Sequence, residues 1–329
     1  MCAVAAAVLA GTLARTPRSD PPPAGGAGRP VVRGGNVETL AAAPHLLFKR
    51  MAGLDQGGSV EIAPLGDPES SRGTTALACD RLSFAGGRGI CLKAQRGVRN
   101  PYEAVIFDAR FQPLATLKLD GSPTRTRISP DGRYGAITVF LTGQAHGYSS
   151  VSFSTKTTLI DMATGTVRGD LEQFTATKDG QPFAAKDFNF WGVTFARDNT
   201  TFYATLMTDR TMYLVRGNVT DRTLVLLRAN VECPSLSPDN RLLAYKKRVR
   251  GDLPLWRFYV MDLATMTERP IAAELRSIDD QLEWLDDGHV LYGISRSQSA
   301  VGDVWVAPVE GTGPARPFLL EAESPVVVR

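Results

Sequence analysis

A short apolar strand that runs into a turn recurs six times along this 329-residue chain. The steps between successive copies are 44, 53, 55, 46 and 46 residues, measured between the turn-side residues Pro64, Asp108, Asp161, Arg216, Asp262 and Pro308. A period of about 40–50 residues, with about four short strands in each unit, is typical of β-propeller blades. The repeat therefore predicts an all-β fold, a six-bladed β-propeller over residues 40–329.

A second repeated unit precedes most of these strands. It consists of an apolar residue, two variable residues, an acid, and then Gly or Asn, and it occurs at Ile128–Gly132, Phe195–Asn199, Leu236–Asn240 and Trp284–Gly288. Asp-Gly and Asp-Asn tolerate the positive φ angles of tight hairpin turns. Each copy is followed by a β-rich run, so the unit indicates an inner strand that enters a hairpin; residues 84–88 are a degenerate fifth copy.

The two ends of the repeat array indicate how the ring closes. The first unit has a hairpin strand from His45 but lacks an inner strand before it, whereas the chain ends in Ser324-Pro-Val-Val-Val. We expect this C-terminal segment to complete the first blade and so remove an open sheet edge. The long step between the second-unit turns at Asp131 and Asp198 indicates an insertion that starts at Leu171.

The N-terminal region differs from the repeats in composition. Residues 2–14 carry no charge and are followed by Arg15, and the run is shorter than the ~20 residues of a membrane-spanning helix. Residues 1–14 are therefore interpreted as a signal or membrane-anchor remnant, with a disordered Ala-rich tail as the alternative. Residues 15–39 are rich in Pro and Gly and predict a linker. An extracytoplasmic location follows, secreted or held by an N-terminal membrane tether.

Several chemistries are excluded by the motifs. The formal net charge of +3 is too weak to predict nucleic-acid binding. The sequence contains no Gly-x-Ser-x-Gly elbow of a serine hydrolase and no Cys-x-x-Cys of a structural zinc site. The glycines at 86–89 belong to a hairpin turn rather than to a phosphate-binding loop. We therefore expect a protein that is not an enzyme and needs no cofactor.

Cysteines 79 and 91 lie on the two arms of one predicted hairpin, and export would permit a disulfide between them. If the turn centres on Ala85, the two face each other directly. If it centres on Gly86-Gly87, Cys91 faces Leu82 and the pair is offset by three residues. Cys233 is expected to be a buried free thiol.

One face of the ring should gather the residues that precede the inner strands and the loops between second and third strands. Arg and aromatic side chains commonly anchor protein interfaces. The predicted partner-binding set is Arg96, Arg99, Tyr102, Arg125, Arg127, Tyr148, Asp187, Arg248, Arg250, Trp256, Asp279 and Asp280. An alternative use of the same face is a Ca²⁺ site, for which Asp279, Asp280 and Gln281 supply oxygen ligands.

The Ser-Pro-Asp-Gly/Asn turns and β-rich runs at 128–140 and 236–247 resemble the repeats of TolB-like propellers. So do the related Trp-Leu-Asp-Asp-Gly segment at 284–294 and the Asp-Leu-Ala-Thr turn at 262–265. The resemblance implies a protein-binding scaffold of the bacterial cell envelope. TolB carries an α/β domain before its propeller, and here the propeller is expected to start too early for one, so TolB's own partner is not carried over. The expected function is non-catalytic binding of an unidentified envelope protein by a monomer. The alternative is a propeller enzyme or a small-ligand or metal receptor that uses the channel mouth.

Overall fold

The computed structural model describes residues 34–51, 58–94, 102–141, 154–250, 255–296, 301–311 and 313–329. The first elements in chain order are helix α1 (Val37–Ala41) and strands β1 (His45–Arg50), β2 (Ser59–Pro64) and β3 (Gly73–Ala78). They are followed by β4 (Arg81–Ala85), β5 (Arg88–Ala94), β6 (Tyr102–Asp108) and β7 (Pro113–Lys118), and by β8 (Gly121–Ile128), β9 (Tyr134–Leu141), β10 (Thr155–Asp161) and β11 (Val167–Asp170).

The second half begins with a single 3₁₀ turn (Leu171–Gln173) and strands β12 (Thr175–Lys178) and β13 (Gln181–Phe183). Next come β14 (Asn189–Phe195), β15 (Thr201–Thr208), β16 (Thr211–Asn218) and β17 (Thr223–Ala229), then β18 (Glu232–Leu236), β19 (Leu242–Arg250), β20 (Leu255–Asp262) and β21 (Glu268–Pro270). The last are β22 (Glu283–Asp286), β23 (His289–Ser295), β24 (Gly302–Pro308), β25 (Arg316–Leu319) and β26 (Ala322–Val328).

These strands form six sheets, and the predicted six-bladed β-propeller is confirmed. Blade 1 has the order β26-β1-β2-β3, blade 2 is β4–β7, blade 3 is β8–β11, blade 4 contains β14–β17, blade 5 is β18–β21 and blade 6 is β22–β25. The inner strands β26, β4, β8, β14, β18 and β22 each contact the next, so they enclose a central channel.

The ring closes as the sequence predicted. Strand β26 pairs antiparallel with β1, and His45 lies opposite Val328 while Leu47 lies opposite Val326. The side chains of Val326 and Val327 are 3% and 8% exposed, so the pairing also buries apolar surface. The C-terminal strand thus serves as the inner strand of blade 1.

Apolar layers between neighbouring blades form the core. Between blades 2 and 3, the side chains of Ile90, Ile106, Ile137 and Ile160 are buried in one cluster. β-Branched residues pack well on a pleated surface, and this explains why they dominate these strands. Aromatic side chains also pack the blades. Phe190, Trp191 and Trp284 are buried, and Phe188 and Trp305 are partly buried.

The Ser-Pro-Asp-Gly/Asn motif closes its hairpin by side-chain hydrogen bonds. In blade 3, Ser129 Oγ donates to Asp131 Oδ1 at 2.7 Å, and Tyr134 N donates to Ser129 Oγ at 2.9 Å. Blade 5 repeats both bonds with Ser237, Asp239 and Leu242. The last residue of the turn adopts positive φ, 73° at Gly132 and 65° at Asn240. The motif therefore stabilises its own hairpin turn by local hydrogen bonds.

The same turns touch from blade to blade, and we call them the turn collar: 86–87, 131–132, 198–199, 239–240 and 286–288. Asp131 N donates to Asn199 Oδ1 at 2.9 Å, and Asp239 N donates to Asp287 Oδ1 at 3.0 Å. A Cβ added at Gly86 would lie 2.4 Å from the carbonyl carbon of Asp131, so only glycine fits there. The collar surrounds the end of the channel at which the inner strands finish.

The predicted insertion extends blade 4. After the 3₁₀ turn, β12 and β13 form a hairpin, and β12 pairs parallel with β17, the outermost of the four blade strands. Blade 4 consequently has six strands. Phe183 and Phe188 from this segment pack against the cluster that contains Phe190.

The insertion carries a titratable group into the blade. Burial raises the pKa of Glu172 to about 8, although its carboxylate accepts a hydrogen bond from Thr157 N at 3.1 Å. A carboxyl whose pKa is higher in the folded than in the unfolded protein binds more protons when folded. We expect the free energy of unfolding to fall by about 2–4 kcal/mol as pH rises from about 4.5 to about 8.

Urea unfolding at intervals across that pH range measures this effect. Glu172→Gln replaces the carboxyl with a neutral side chain of the same shape and should flatten the pH dependence. An equally steep dependence in the variant would contradict the assignment to Glu172.

At the N-terminal side, the side chain of Asn36 caps α1 by accepting from Thr39 N. Gly34 N and Gly35 N both donate to Arg72 O, which ties the backbone of these linker residues to blade 1. The signal or membrane-anchor remnant predicted for residues 1–14 lies outside the described residues. Within the residues that the structure describes, no helix has the length and apolar character needed to cross a membrane.

Cys79 and Cys91 form a disulfide in the structure, with their Cα atoms 5.3 Å apart. The hairpin register places Leu82 opposite Cys91, which is the offset arrangement expected for a turn at Gly86-Gly87. Cys79 itself lies between β3 and β4, so the bond links the end of blade 1 to blade 2. Cys233 is buried and free, within β18.

Oxidation of this pair in the purified protein stays a prediction. Non-reduced peptide mapping should recover one peptide pair that contains Cys79 and Cys91, and reduction should lower stability by about 2–4 kcal/mol, as is usual for a native disulfide. Recovery of both as free thiols would contradict it. Cys233→Ser serves as the control and should leave the mapped pair unchanged.

Candidate functional site

An ion pair spans the central channel. Arg127 of blade 3 donates to the carboxylate of Glu283 in blade 6, which lies directly across the ring. The same guanidinium donates to Leu282 O at 2.7 Å, and Glu283 Oε1 accepts from Val327 N at 3.2 Å. The two side chains are 17% and 16% exposed. This bridge divides the channel into an upper mouth, where the inner strands begin, and a lower mouth, where they finish.

Further polar contacts close the channel just above the bridge. Gln281 Nε2 donates to Pro234 O at 3.0 Å and to Val193 O at 3.3 Å, while Arg81 lies 3.4 Å from Asp280. The cavity among these groups measures about 30 Å³, which accommodates water rather than a larger ligand. The upper part of the channel is therefore a packed polar plug.

The upper mouth contains a charge cluster on blades 5 and 6, in which Lys246 and Glu232 are buried and Asp279 is exposed. Lys246, whose side chain is fully buried, pairs with Asp279 and lies 4.8 Å from the Trp256 ring centroid. Glu232 Oε1 accepts from Arg248 Nε at 2.7 Å and from Trp256 Nε1 at 3.0 Å. Burial alone would raise the pKa of Asp279, but the Lys246 and Arg125 cations outweigh it and lower that pKa.

The structure places the predicted partner-binding residues in different environments. Arg125 and Trp256 are 7% and 5% exposed, so the expectation that they stand out as surface anchors is corrected. Arg248 is one-third exposed and engaged with Glu232. Arg127 lies inside the channel, and Tyr102 is half-buried at the start of β6.

Asp187 is exposed on the upper face, where its carboxylate accepts from Thr208 Oγ1 at 2.6 Å and from Asp209 N at 2.7 Å. The turn beside it, Asp209-Arg210, joins β15 to β16 and is exposed. Sequence reasoning missed Arg210, although its place between a second and a third strand was the signal that identified the other loops. Arg96, Arg99 and Tyr148 lie outside the described residues, as does the side chain of Arg250.

The residues considered for Ca²⁺ point their oxygens to different partners. Asp279 pairs with Lys246, and Asp280 accepts from Gly293 N at 2.9 Å and from Gln281 N at 2.9 Å. The Gln281 amide nitrogen donates to the carbonyl oxygens of Pro234 and Val193. Among the residues that the structure describes, no group of three or more His, Cys, Asp or Glu converges as a metal site. The Ca²⁺ interpretation therefore gains no support from this geometry.

The lower mouth is wider and was not singled out from the sequence. It is a cavity of about 330 Å³ below the Arg127–Glu283 bridge. Its charged side chains are Arg127, Arg197, Arg329 and Glu283, and its apolar wall is formed by Phe84, Ile128, Phe195, Leu236, Trp284, Val326 and Val327. The turns of the collar that carry Pro130, Pro238 and Asn240 form its rim.

No protein-family model and no curated protein sequence matches the chain. Solved structures do match in fold. TolB from Acinetobacter baumannii is 14% identical with a TM-score of 0.60; the match covers 86% of this chain and 66% of that one, slightly less than two-thirds of TolB's length. A protein assigned as TolB from Agrobacterium tumefaciens is 11% identical, with a TM-score of 0.52 and coverage of 86% and 91%.

A chain from the nidogen/laminin complex is 12% identical, with a TM-score of 0.56 and coverage of 87% of this chain and 98% of that one. Identities this low establish the architecture, and the function has to be argued from the site. The order of the strands, the closure by β26 and the matches to both TolB structures agree with the resemblance carried by the Ser-Pro-Asp-Gly/Asn turns. The chain has the fold of a TolB-like six-bladed β-propeller.

Proposed function

We propose that this protein is a non-catalytic, extracytoplasmic scaffold whose upper mouth binds a protein partner in the bacterial cell envelope. The observation that carries the proposal is the mixed charge of that face. Arg210 and Arg248 present cationic groups there, and Asp187 and Asp279 present carboxylates. Complementary charge patterns of this kind favour specific protein partners and rapid association.

The contacts of the described side chains at this mouth support the same proposal. The charges at the mouth are held by fixed contacts: Asp187 by Thr208, Arg248 by Glu232, and Asp279 by Lys246. Side chains that already hold fixed contacts lose little conformational entropy when a partner binds. The polar plug beneath it leaves the surface, rather than the upper channel, as the place of contact.

The uncharged run at 2–14 supports the extracytoplasmic location, because it fits an export signal or anchor. The predicted Cys79–Cys91 disulfide would also suit an oxidising compartment. The TolB-like fold agrees with the cell envelope as the site of action.

Site-specific photo-crosslinking tests the docking face. A photoreactive residue in place of Arg210 on the upper face should capture one envelope protein in source cells. The same residue in place of Arg133, an exposed position that follows the collar turn 131–132 on the opposite face, is the control and should not capture it. The purified pair should then bind, and Arg210→Glu should weaken binding by at least about tenfold, or about 1.4 kcal/mol. Capture from Arg133 alone, or an unchanged affinity in Arg210→Glu, would overturn the proposal.

A further inference from the structure

The lower mouth has the shape of a ligand site. Its volume of about 330 Å³ lies at the lower end of the ~300–1,000 Å³ typical of small-molecule pockets. The Arg127–Glu283 bridge forms its floor, and residues from the ends of all six inner strands form its walls. Every residue of its lining belongs to the part of the chain that the structure describes, so its chemistry is fully specified.

The charges of this cavity favour an anion. Its titratable side chains are three arginines and one glutamate, and Glu283 is already bonded to Arg127. Arg329 donates to Trp284 O and Leu285 O, both at 2.9 Å. Arg197 is exposed and forms no hydrogen bond or ion pair with any described residue. The guanidinium donors of Arg197 therefore have no acceptor among the described residues.

The Asp239 carboxylate, which interacts electrostatically with Arg197, is held by the turn collar instead. Burial raises the pKa of Asp239, but hydrogen bonds from Ser237 and Arg241 and the Arg241 and Arg197 cations together hold it below its usual value. The Asp239 carboxylate accepts from Ser237 Oγ at 2.6 Å and from Arg241 N at 2.9 Å. The carboxylate is therefore already occupied by its own turn, and the bidentate donors of Arg197 suit an added carboxylate.

Much of the remaining lining of the cavity is apolar. Phe84, Phe195 and Trp284 line the cavity, and Trp284 already places its Nε1 on Ser235 O at 2.9 Å, so its ring presents apolar surface. Val326 and Val327 continue this surface across blade 1. A ligand that complements both the Arg197 cation and the apolar lining carries an anionic group beside an apolar body.

We propose that the lower mouth binds an apolar monocarboxylate, with the carboxylate on Arg197 and the apolar body against Phe195 and Trp284. Two sources share this chemistry: a free organic acid and the C-terminal residue of a peptide. The site lies on the face opposite the proposed protein-docking surface, so it is independent of that proposal.

Calorimetric titration of the full chain tests the site with 3-phenylpropionate as the probe and 3-phenylpropionamide as its uncharged analogue. The acid should bind saturably with a Kd of about 1 mM or lower, and the amide should bind at least about tenfold more weakly. Arg197→Gln should lose at least about tenfold in affinity for the acid. Arg216→Gln, which removes an exposed arginine from β16 of the same blade, should retain it.

Melting temperatures of both variants should match that of the unmodified chain, because exposed substitutions usually change stability by less than about 0.5 kcal/mol. A tripeptide ending in Phe, with a free or amidated C-terminus, distinguishes the two sources. If the peptide with a free C-terminus binds as well as the probe, the ligand of the site is a peptide C-terminus. If only the probe binds, the ligand is a free organic acid. Both results support the site. Equal affinity of acid and amide, an unchanged affinity in Arg197→Gln, or no saturable binding of the probe would overturn it.

Discussion

Removal of the last six residues, 324–329, should unfold the entire ring rather than one blade. The truncation removes most of β26, exposes the edge of β1, and deletes the buried side chains of Val326 and Val327. Each buried valine contributes about 1.5–3 kcal/mol and each lost strand hydrogen bond about 0.5–1.5 kcal/mol. The loss exceeds about 5 kcal/mol, which is comparable to the total stability of many domains.

Thermal denaturation followed by circular dichroism, together with gel filtration, measures this outcome. Deletion of Arg329 alone is the matched control, because it removes two hydrogen bonds to blade 6 and leaves the strand in place. That control should melt within a few degrees of the full chain. A six-residue truncation that melts at the same temperature as the control would contradict closure by β26.

The second large effect is expected at the bridge across the channel. Replacing either Arg127 or Glu283 by leucine leaves the other charge largely buried, which typically costs about 3–5 kcal/mol. The double replacement removes both charges and should cost clearly less than the sum of the two single changes. Urea unfolding of the four proteins in a double-mutant cycle gives the coupling energy directly.

The pair Arg269 and Glu310 provides a comparison on the surface. The two side chains form an ion pair and are 41% and 71% exposed. Exposed pairs contribute at most about 1 kcal/mol, so its cycle should give a small coupling energy. Equal coupling in the two cycles would show that the bridge in the channel is no more than another surface pair.

The repeats predicted the fold because they are local. A hairpin turn needs an acid and a residue that accepts positive φ within a few positions, and Gly132, Asn199 and Asn240 supply it with φ of 73°, 64° and 65°. Closure of the ring was also predictable, because the first repeat lacks an inner strand and the C-terminus supplies one extra strand. Both inferences depend on residues close together in sequence or on a simple count of strands.

The candidate site was less predictable, and two residues show why. Trp256 was read as part of a loop, but β20 begins at Leu255 and its burial alternates, with Trp256, Phe258 and Val260 facing inward. That period of two was present in the sequence and could have identified the residue as buried. The contact between Arg127 and Glu283 joins positions 156 residues apart, and only the completed ring brings them together. The parallel pairing of β12 with β17 likewise joins residues that are far apart in sequence and meet only in the folded blade.

The pairing of His45 with Val328 also has a consequence in time. The two residues are 283 positions apart in the chain, so β1 emerges from the ribosome long before its partner strand is synthesised. At roughly 5–20 residues per second, synthesis leaves the edge of β1 unpaired for about 15–60 s. Unpaired strand edges promote aggregation. The nascent chain therefore needs protection of that edge until β26 has been synthesised. The yield of folded protein in a cell should respond to the speed of translation and to the supply of chaperones.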